Sequence, residues 1–236
     1  MSGGARSGDV AVVIPARNEA DRIQATVTAA LGLSDVALVI VVDDGSKDGT
    51  AAAARRAGAV VTRHARNRGK GAAMETGAEA VRLLDQREQR VRPRHLLFLD
   101  ADLGRTAALA GPLTEPVLAG AADMTIAVFA TTVKLGGHGL VVGLSGAGIR
   151  RATGWRPAQP LNGQRCLTRA AFEAARPLAR GWGVETALSI DLLRKGLRVT
   201  EVEVELAHRA TGTGMRAQLH RAHQLTDVAR ALATRL

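Results

Sequence analysis

Four short polar runs carry the residue types in this chain that could do chemistry: Pro15-Ala16-Arg17-Asn18-Glu19, Asp43-Asp44-Gly45-Ser46, Asn67-Arg68-Gly69-Lys70-Gly71 and Asp100-Ala101-Asp102. The last is the most informative. Two carboxylates at i and i+2 after an apolar run can reach one divalent cation, and a cation held there neutralises a diphosphate. Alone, Asp-x-Asp reads as readily as a solvated loop, but here it follows a buried strand and has three polar runs for company. Asp43 and Asp44 end the apolar run 39–42, where either can accept hydrogen bonds from a base or a ribose. Gly45 and Ser46 also suit a plain turn and helix N-cap. Gly69-Lys70-Gly71 opens a helix, so backbone amides, the helix dipole and Lys70 can all face a phosphate.

The elements that must position these runs alternate. Residues 10–14 are strand-like, and Ile23, Val27, Ala30 and Leu31 form a helical stripe before Gly32. Residues 37–42 give a second strand, 46–57 a helix closed by Gly58, 60–62 a third strand, 71–87 a helix and 95–99 a fourth strand. Continuous Val, Ile and Leu strands separated by helices require a parallel sheet covered on both faces. Ligands of such sheets bind at the carboxyl ends of the strands, where all four polar runs fall.

Beyond Asp102 the pattern loosens. Residues 124–128 read as a strand, and the glycine-rich stretch 135–148 shows no clear period and is expected to be a loop. A helix is expected over 184–195, with Val184, Leu188 and Leu192 on one face, then a strand over 198–206 and an amphipathic basic helix over 216–236. That last helix suits packing on its own domain better than lying on a membrane. Glu185 at a helix start can complement the dipole or serve as the base for an acceptor hydroxyl. Arg209, with Arg216 and Arg221, could grip an acceptor phosphate bidentately.

The bulk composition sets limits. At 236 residues, 46 % hydrophobic and 23 % charged, with mean hydropathy +0.03, the chain reads as globular. Its apolar runs are strand-sized, far short of the roughly 20 residues a bilayer requires. The single Cys166 allows no internal disulfide, so the cytoplasm is the expected location, with peripheral contact at the inner membrane face still allowed. The net charge of +10 comes with only four lysines, a sign of arginine-favouring composition, and aromatics at 2 % are too few for base-stacking platforms, so nucleic acid is not expected as a partner.

The runs Val-Ile-Pro-Ala-Arg-Asn-Glu, Val-Val-Asp-Asp-Gly-Ser-Lys-Asp-Gly-Thr, Arg-Gly-Lys-Gly-Ala-Ala and Phe-Leu-Asp-Ala-Asp-Leu, in this order and spacing, resemble the family-two glycosyltransferases over about residues 9–130. The resemblance implies a single α/β domain of the GT-A type, a Rossmann-like, mostly parallel sheet flanked by helices. It also implies a nucleotide-sugar donor (UDP- or GDP-linked) and Mg²⁺ or Mn²⁺. By position, Pro15, Ala16, Glu19, Asp44 and Lys70 would hold the nucleotide, with Arg17, Asn18, Asp43, Gly45, Asp100 and Ala101 beside it. Asp102 and, less directly, Asp100 would hold the metal. Residues 1–8 then form a frayed start, and 9–236 one domain with a donor half (9–130) and an acceptor half with the C-terminal helix (131–236).

In the second half, Pro160-Leu161-Asn162-Gly163-Gln164-Arg165, Gly181-Trp182-Gly183-Val184-Glu185 and Ala207-His208-Arg209 are similar to the glucosyl-3-phosphoglycerate synthases, which would give His208 a place on the metal and Gly163, Gln164, Arg165 and Arg209 a place on the acceptor. The dolichol-phosphate mannosyltransferases share the Gly163 and Glu185 neighbourhoods. One departure stands out: the acceptor-binding Arg-x-Thr of the synthases has no counterpart after Gly136-Gly137-His138-Gly139, where Leu140-Val141-Val142 stands. The acceptor is therefore expected to be phosphorylated, either a small metabolite or a polyprenyl phosphate at the membrane surface, and a homodimer is compatible with either. Lys70 and Glu185 are the expected catalytic groups of a hexosyltransferase. A sugar nucleotidyltransferase is the rival enzyme, but its glycine-rich signature after the first strand is missing. A nucleotide-sugar binder without turnover would not need Asp100, Asp102 and Lys70 intact.

Overall fold

The computed structural model describes residues 8–129, 139–206 and 215–236, the first eight of the last stretch by their backbone alone. Seven strands form one sheet: β1 (Val10–Ala16), β2 (Val36–Asp43), β3 (Val60–Arg63), β4 (His95–Phe98), β5 (Met124–Phe129), β6 (Arg165–Leu167) and β7 (Val199–Val204), in the order β3-β2-β1-β4-β6-β5-β7. The helices are α1 (Ile23–Leu31), α2 (Thr50–Arg56), α3 (Lys70–Arg87), α4 (Glu115–Leu118), α5 (Gly139–Thr153), α6 (Arg169–Ala175), α7 (Val184–Arg194) and α8 (Met215–Ala233).

β1, β2, β3 and β4 pair in parallel, whereas β6 runs antiparallel to both β4 and β5. Every residue of β1 but Pro15 is buried because both faces are covered. Val10, Val12 and Ile14 face α1, α2 and the 3₁₀ segment 104–113, while Ala11 and Val13 face α3, α6 and α7. α5 and α8 form a further cluster on α7 through Val141, Ile149, Ile190, Val228 and Leu232. The chain leaves β1 toward β2 on one side and returns to β4 on the other. This reversal opens a crevice at the carboxyl ends of β1 and β4.

Two expectations need correcting. The glycine-rich stretch was expected to be a loop, yet from Gly139 onward it is helix α5. Its buried positions Val141, Ser145, Gly148 and Ile149 keep a helical spacing, but two are small, which hides the period. Gly148 is small because α8 lies against it, where a methyl would fall on Leu232, and Ser145 meets Thr186 Oγ1 of α7 at 2.7 Å. Helix α2 begins at Thr50 rather than Ser46. Residues 44–49 are instead stitched to the segment after β1: Asn18 N–H donates to Ser46 Oγ (2.9 Å), Lys47 N–H to Asn18 Oδ1 (2.9 Å) and Glu19 N–H to Thr50 Oγ1 (2.8 Å). Ser46 is thus a bridge between loops, not a helix cap.

Helix α3 carries Lys70 and lies flat on the sheet at Gly77. A methyl there would fall on Val13 Cγ1 and within 3.2 Å of Val42 Cγ2, both on central buried strands. Gly77→Ala is expected to cost about 1–3 kcal/mol by overpacking, outweighing the ~1 kcal/mol that alanine gains in a helix. The urea midpoint measures this, and a raised midpoint would mean that α3 lifts off the sheet freely.

Candidate functional site

The carboxyl edge of β1, β2 and β3 is organised by Asp44, which is 5 % exposed. Its Oδ1 accepts from Arg68 N–H (2.7 Å) and meets His64 Nδ1 (2.7 Å), and its Oδ2 accepts from Gly69 N–H (2.9 Å). His64, itself buried, spends its other nitrogen on Thr76 Oγ1 at 2.9 Å. Asp44 therefore shapes the turn that delivers Lys70 to the start of α3. Asp43 is also buried, with Oδ1 accepting from Ser46 N–H (2.8 Å) and Oδ2 3.1 Å from Arg63 Nε. Both carboxylates, expected at the nucleotide, hold together the loops at the strand ends. Arg17 and Asn18 are exposed along the same edge, with Pro15, Glu19 and Gly45 half-buried beside them and Ala16 buried.

Across the crevice, Asp100 stands two residues beyond the end of β4. Lys70 Nζ lies 2.7 Å from Asp100 Oδ1 and 2.9 Å from Glu185 Oε1, joining α3, β4 and α7 in one contact. Gln164 Nε2 donates to the other oxygen, Asp100 Oδ2, at 2.8 Å. Burial works against the charge on Lys70, but the carboxylates of Asp100 and Glu185 outweigh it and hold the amine above its ordinary value. Lys70 is a fixed cation at neutral pH. Gly163 leaves room for it, since a methyl there would fall on Nζ and sit 3.1 Å from both Asp100 oxygens. The ring of Trp182 stands 5.9 Å from the same ammonium. Lys70, Asp100, Glu185 and Trp182 line one end of a small cleft whose walls include Val141, Leu161, Gln224 and Val228.

Asp102 is placed by α1. Thr26 Oγ1 donates to Ala101 O (2.8 Å) and accepts from Gly104 N–H (2.8 Å), while Arg22 Nη1 donates to Asp102 O (3.0 Å). Asp100 and Asp102 offer hard carboxylate oxygens, the donor chemistry that suits Mg²⁺ or Mn²⁺. Among the described residues no three His, Cys, Asp or Glu side chains converge as a metal cluster. His208 and Arg209, expected at the metal and the acceptor, lie outside the described residues.

Arg165 is the clearest correction. It was expected to reach the acceptor, but it is fully buried, and its guanidinium donates to Asn162 O (2.8 Å), Pro160 O (3.0 Å), Glu185 O (2.9 Å) and Ser189 Oγ (3.1 Å). With its donors spent on main-chain carbonyls and a hydroxyl, it ties the 160–164 loop to the first turn of α7 and so holds Glu185 opposite Lys70. Gly163 and Gln164, from the same expectation, lie against Lys70 and Asp100.

Several residues of the site carried no expected role: His64, Thr26, Trp182, and Gln224 and Val228 of α8. Only Trp182 had a signal in the sequence, an aromatic between two glycines at the start of a helix. The others are recognisable only once distant segments meet.

Comparison with known proteins adds the following. Residues 11–132 match the profile of glycosyl transferase family 2. The glycosyltransferase AglJ of Haloferax volcanii is 29 % identical over 208 residues, 86 % of this chain and 65 % of that protein. An uncharacterized protein of Methanocaldococcus jannaschii is 34 % identical over 118 residues, 50 % of this chain and 45 % of that protein. The chain thus spans less than two thirds of the length of either relative. The crystal structure of glucosyl-3-phosphoglycerate synthase from Mycobacterium tuberculosis with phosphoglyceric acid is similar at a TM-score of 0.76 and 25 % identity, over 98 % of this chain and 81 % of that one. The same enzyme with Mn²⁺, UDP-glucose and phosphoglyceric acid gives 0.72 and 25 %, with the same coverage. Among the described residues no helix is long and apolar enough to cross a membrane.

Proposed function

The chain belongs to glycosyl transferase family 2, and on that premise we propose that it moves a hexose from a uridine-diphosphate sugar to a phosphorylated acceptor, with Mg²⁺ or Mn²⁺ held at Asp100 and Asp102. The observation that carries the reading is Lys70, fixed between Asp100 and Glu185 in the crevice where the strand order reverses. The complexes of the similar synthase with UDP-glucose, Mn²⁺ and phosphoglyceric acid support the donor class and the kind of acceptor.

Asp100 and Asp102 would hold the cation, which would neutralise charge on the departing diphosphate. Lys70 adds a second positive charge, already in place and partly desolvated, so little reorganisation is needed as the leaving group gains charge. Pro15, Ala16, Arg17, Asn18 and Glu19 would line the nucleotide side, and Gly163 and Gln164 the acceptor side. Glu185 takes the proton if the acceptor presents a hydroxyl. If the acceptor presents an ionised phosphate oxygen, no base is needed and Glu185 serves to hold Lys70. The apolar wall of Val141, Leu161, Trp182 and Val228 favours a second reading, in which the acceptor phosphate carries a lipid chain.

The test is thermal stabilisation of the purified protein by UDP, UDP-glucose, GDP and GDP-mannose, each with and without Mn²⁺. A ligand at a hundredfold its Kd adds about 2.7 kcal/mol. A shift that requires both Mn²⁺ and a uridine nucleotide, and that disappears in Asp102→Ala, is expected. A shift with GDP compounds alone would reassign the donor, and no metal-dependent shift with any of them would overturn the reading.

A further inference from the structure

The C-terminal helix reaches the cleft through one carboxylate. Asp227 of α8 accepts a hydrogen bond from Trp182 N–H at Oδ2 (3.1 Å). Gly181, at φ +61°, leaves the space where a side chain would fall on that same carboxylate. A methyl on Gly183 would come within 2.6 Å of Asp227 O. The 181–183 turn is therefore moulded around Asp227, side chain and main chain alike. On its other side the turn rests on the start of α3: a methyl on Gly71 would fall on Ala179 O, and Leu178 N–H donates to Glu75 Oε1 at 2.8 Å. Gln224 and Val228, on either side of Asp227 in α8, line the cleft opposite Lys70, and Gln224 Oε1 has no hydrogen-bond partner among the described residues.

We propose that Asp227 is a positioning residue of the cleft: by holding the 181–183 turn it fixes the Trp182 ring against Lys70 and seats Gln224 and Val228 as the facing wall. It touches no reacting atom and acts through Trp182. The two flanking glycines give the turn more backbone freedom than any other residues would, so its seat depends on the acceptor oxygen that Asp227 holds against Trp182 N–H. A placement error of the order of 1 Å in such a wall lowers turnover by roughly tenfold to a hundredfold.

The experiment uses the full chain with Trp155→Phe, which leaves Trp182 as the sole tryptophan. Asp227→Ala is expected to shift Trp182 emission to the red and make it more readily quenched by acrylamide. Asp227→Asn keeps an acceptor oxygen and is expected to restore the parent emission. Arg230→Ala removes the exposed cation 3.6 Å from Asp227 and should leave the emission alone. The rate arm rests on the transferase reading: Asp227→Ala should hydrolyse UDP-glucose with Mn²⁺ about tenfold more slowly, with the stabilisation by UDP and Mn²⁺ retained. Unchanged Trp182 emission in Asp227→Ala, or an Asp227→Asn protein as perturbed as the alanine variant, would overturn the proposal. If Asp227→Ala does not fold, Asp227→Asn and Gly181→Ala decide it, the first expected to match the parent and the second to reproduce the red shift. If the parent hydrolyses no donor, the emission data decide alone and the transferase reading is what fails.

Discussion

Lys70→Met is expected to lower turnover of the nucleotide sugar by about 10²–10³-fold, the cost of removing one preorganised charge from a transition state. The geometry makes this a severe substitution. Lys70 is the cation shared by Asp100 and Glu185, whose side chains are 28 % and 4 % exposed, so without it two carboxylates face one cleft and have lost the charge they share. The variant loses stability as well. The folded-state pKa of Lys70 lies above its ordinary 10.5, because two carboxylates outweigh burial. The folded protein therefore holds this proton more tightly than the unfolded chain. That contribution is present in full below pH 10.5 and fades as the pH rises beyond it. Denaturation midpoints of wild type and Lys70→Met should differ at pH 7 and converge toward strongly alkaline pH. A constant gap would mean that Lys70 stabilises by packing alone. Lys70→Arg keeps the charge but needs room that Gly163 provides only for an ammonium, so partial activity is expected.

The donor half was legible because each of its strands is a short, nearly continuous apolar run ending in a polar one. Val10 to Ile14, Val39 to Val42 and Leu96 to Phe98 are buried on both faces, so period and burial agree, and the residues after them must stand at the carboxyl edge. What those residues do there was harder to read. Asp43 and Asp44 look like ligands in sequence, and the fold adds a second task, since their buried carboxylates also accept from the Ser46, Arg68 and Gly69 amides, partners that only the fold brings near. The second half was obscured for a different reason. β6 has three residues and runs against its neighbours, too short for any period to show. In α5, small residues stand where α7 and α8 approach, Ser145 at Thr186 and Gly148 at Leu232, so the packing that stabilises the helix erases its sequence signature. α8 itself was legible as an amphipathic helix, but its part in the cleft was not, because that depends on Asp227 meeting a turn 45 residues away.

Arg165→Met is the substitution expected to damage the fold most. Arginine beside a glycine-glutamine pair reads as a surface ligand for phosphate, yet here it is fully buried and pushed down to about 10 by desolvation, against the pull of Glu185 and Glu201. Two effects oppose each other. Removing a buried charge relieves its desolvation, which is why some buried ions are replaced by apolar residues at little cost. The carbonyls of Pro160, Asn162 and Glu185, however, are fixed by the 160–164 loop and the first turn of α7, and methionine leaves each of them short of a donor at about 1 kcal/mol or more apiece. The second effect, about 3 kcal/mol or more over the three carbonyls, should outweigh the first, because the acceptors belong to the main chain and cannot turn away. Arg165→Lys reaches one or two of the three and should fall between. Activity should follow stability, since the same carbonyl that anchors Arg165 belongs to Glu185. A stable Arg165→Met protein with only a raised acceptor KM would place the guanidinium at the ligand after all, and would require the 160–164 loop to swing it out of the core.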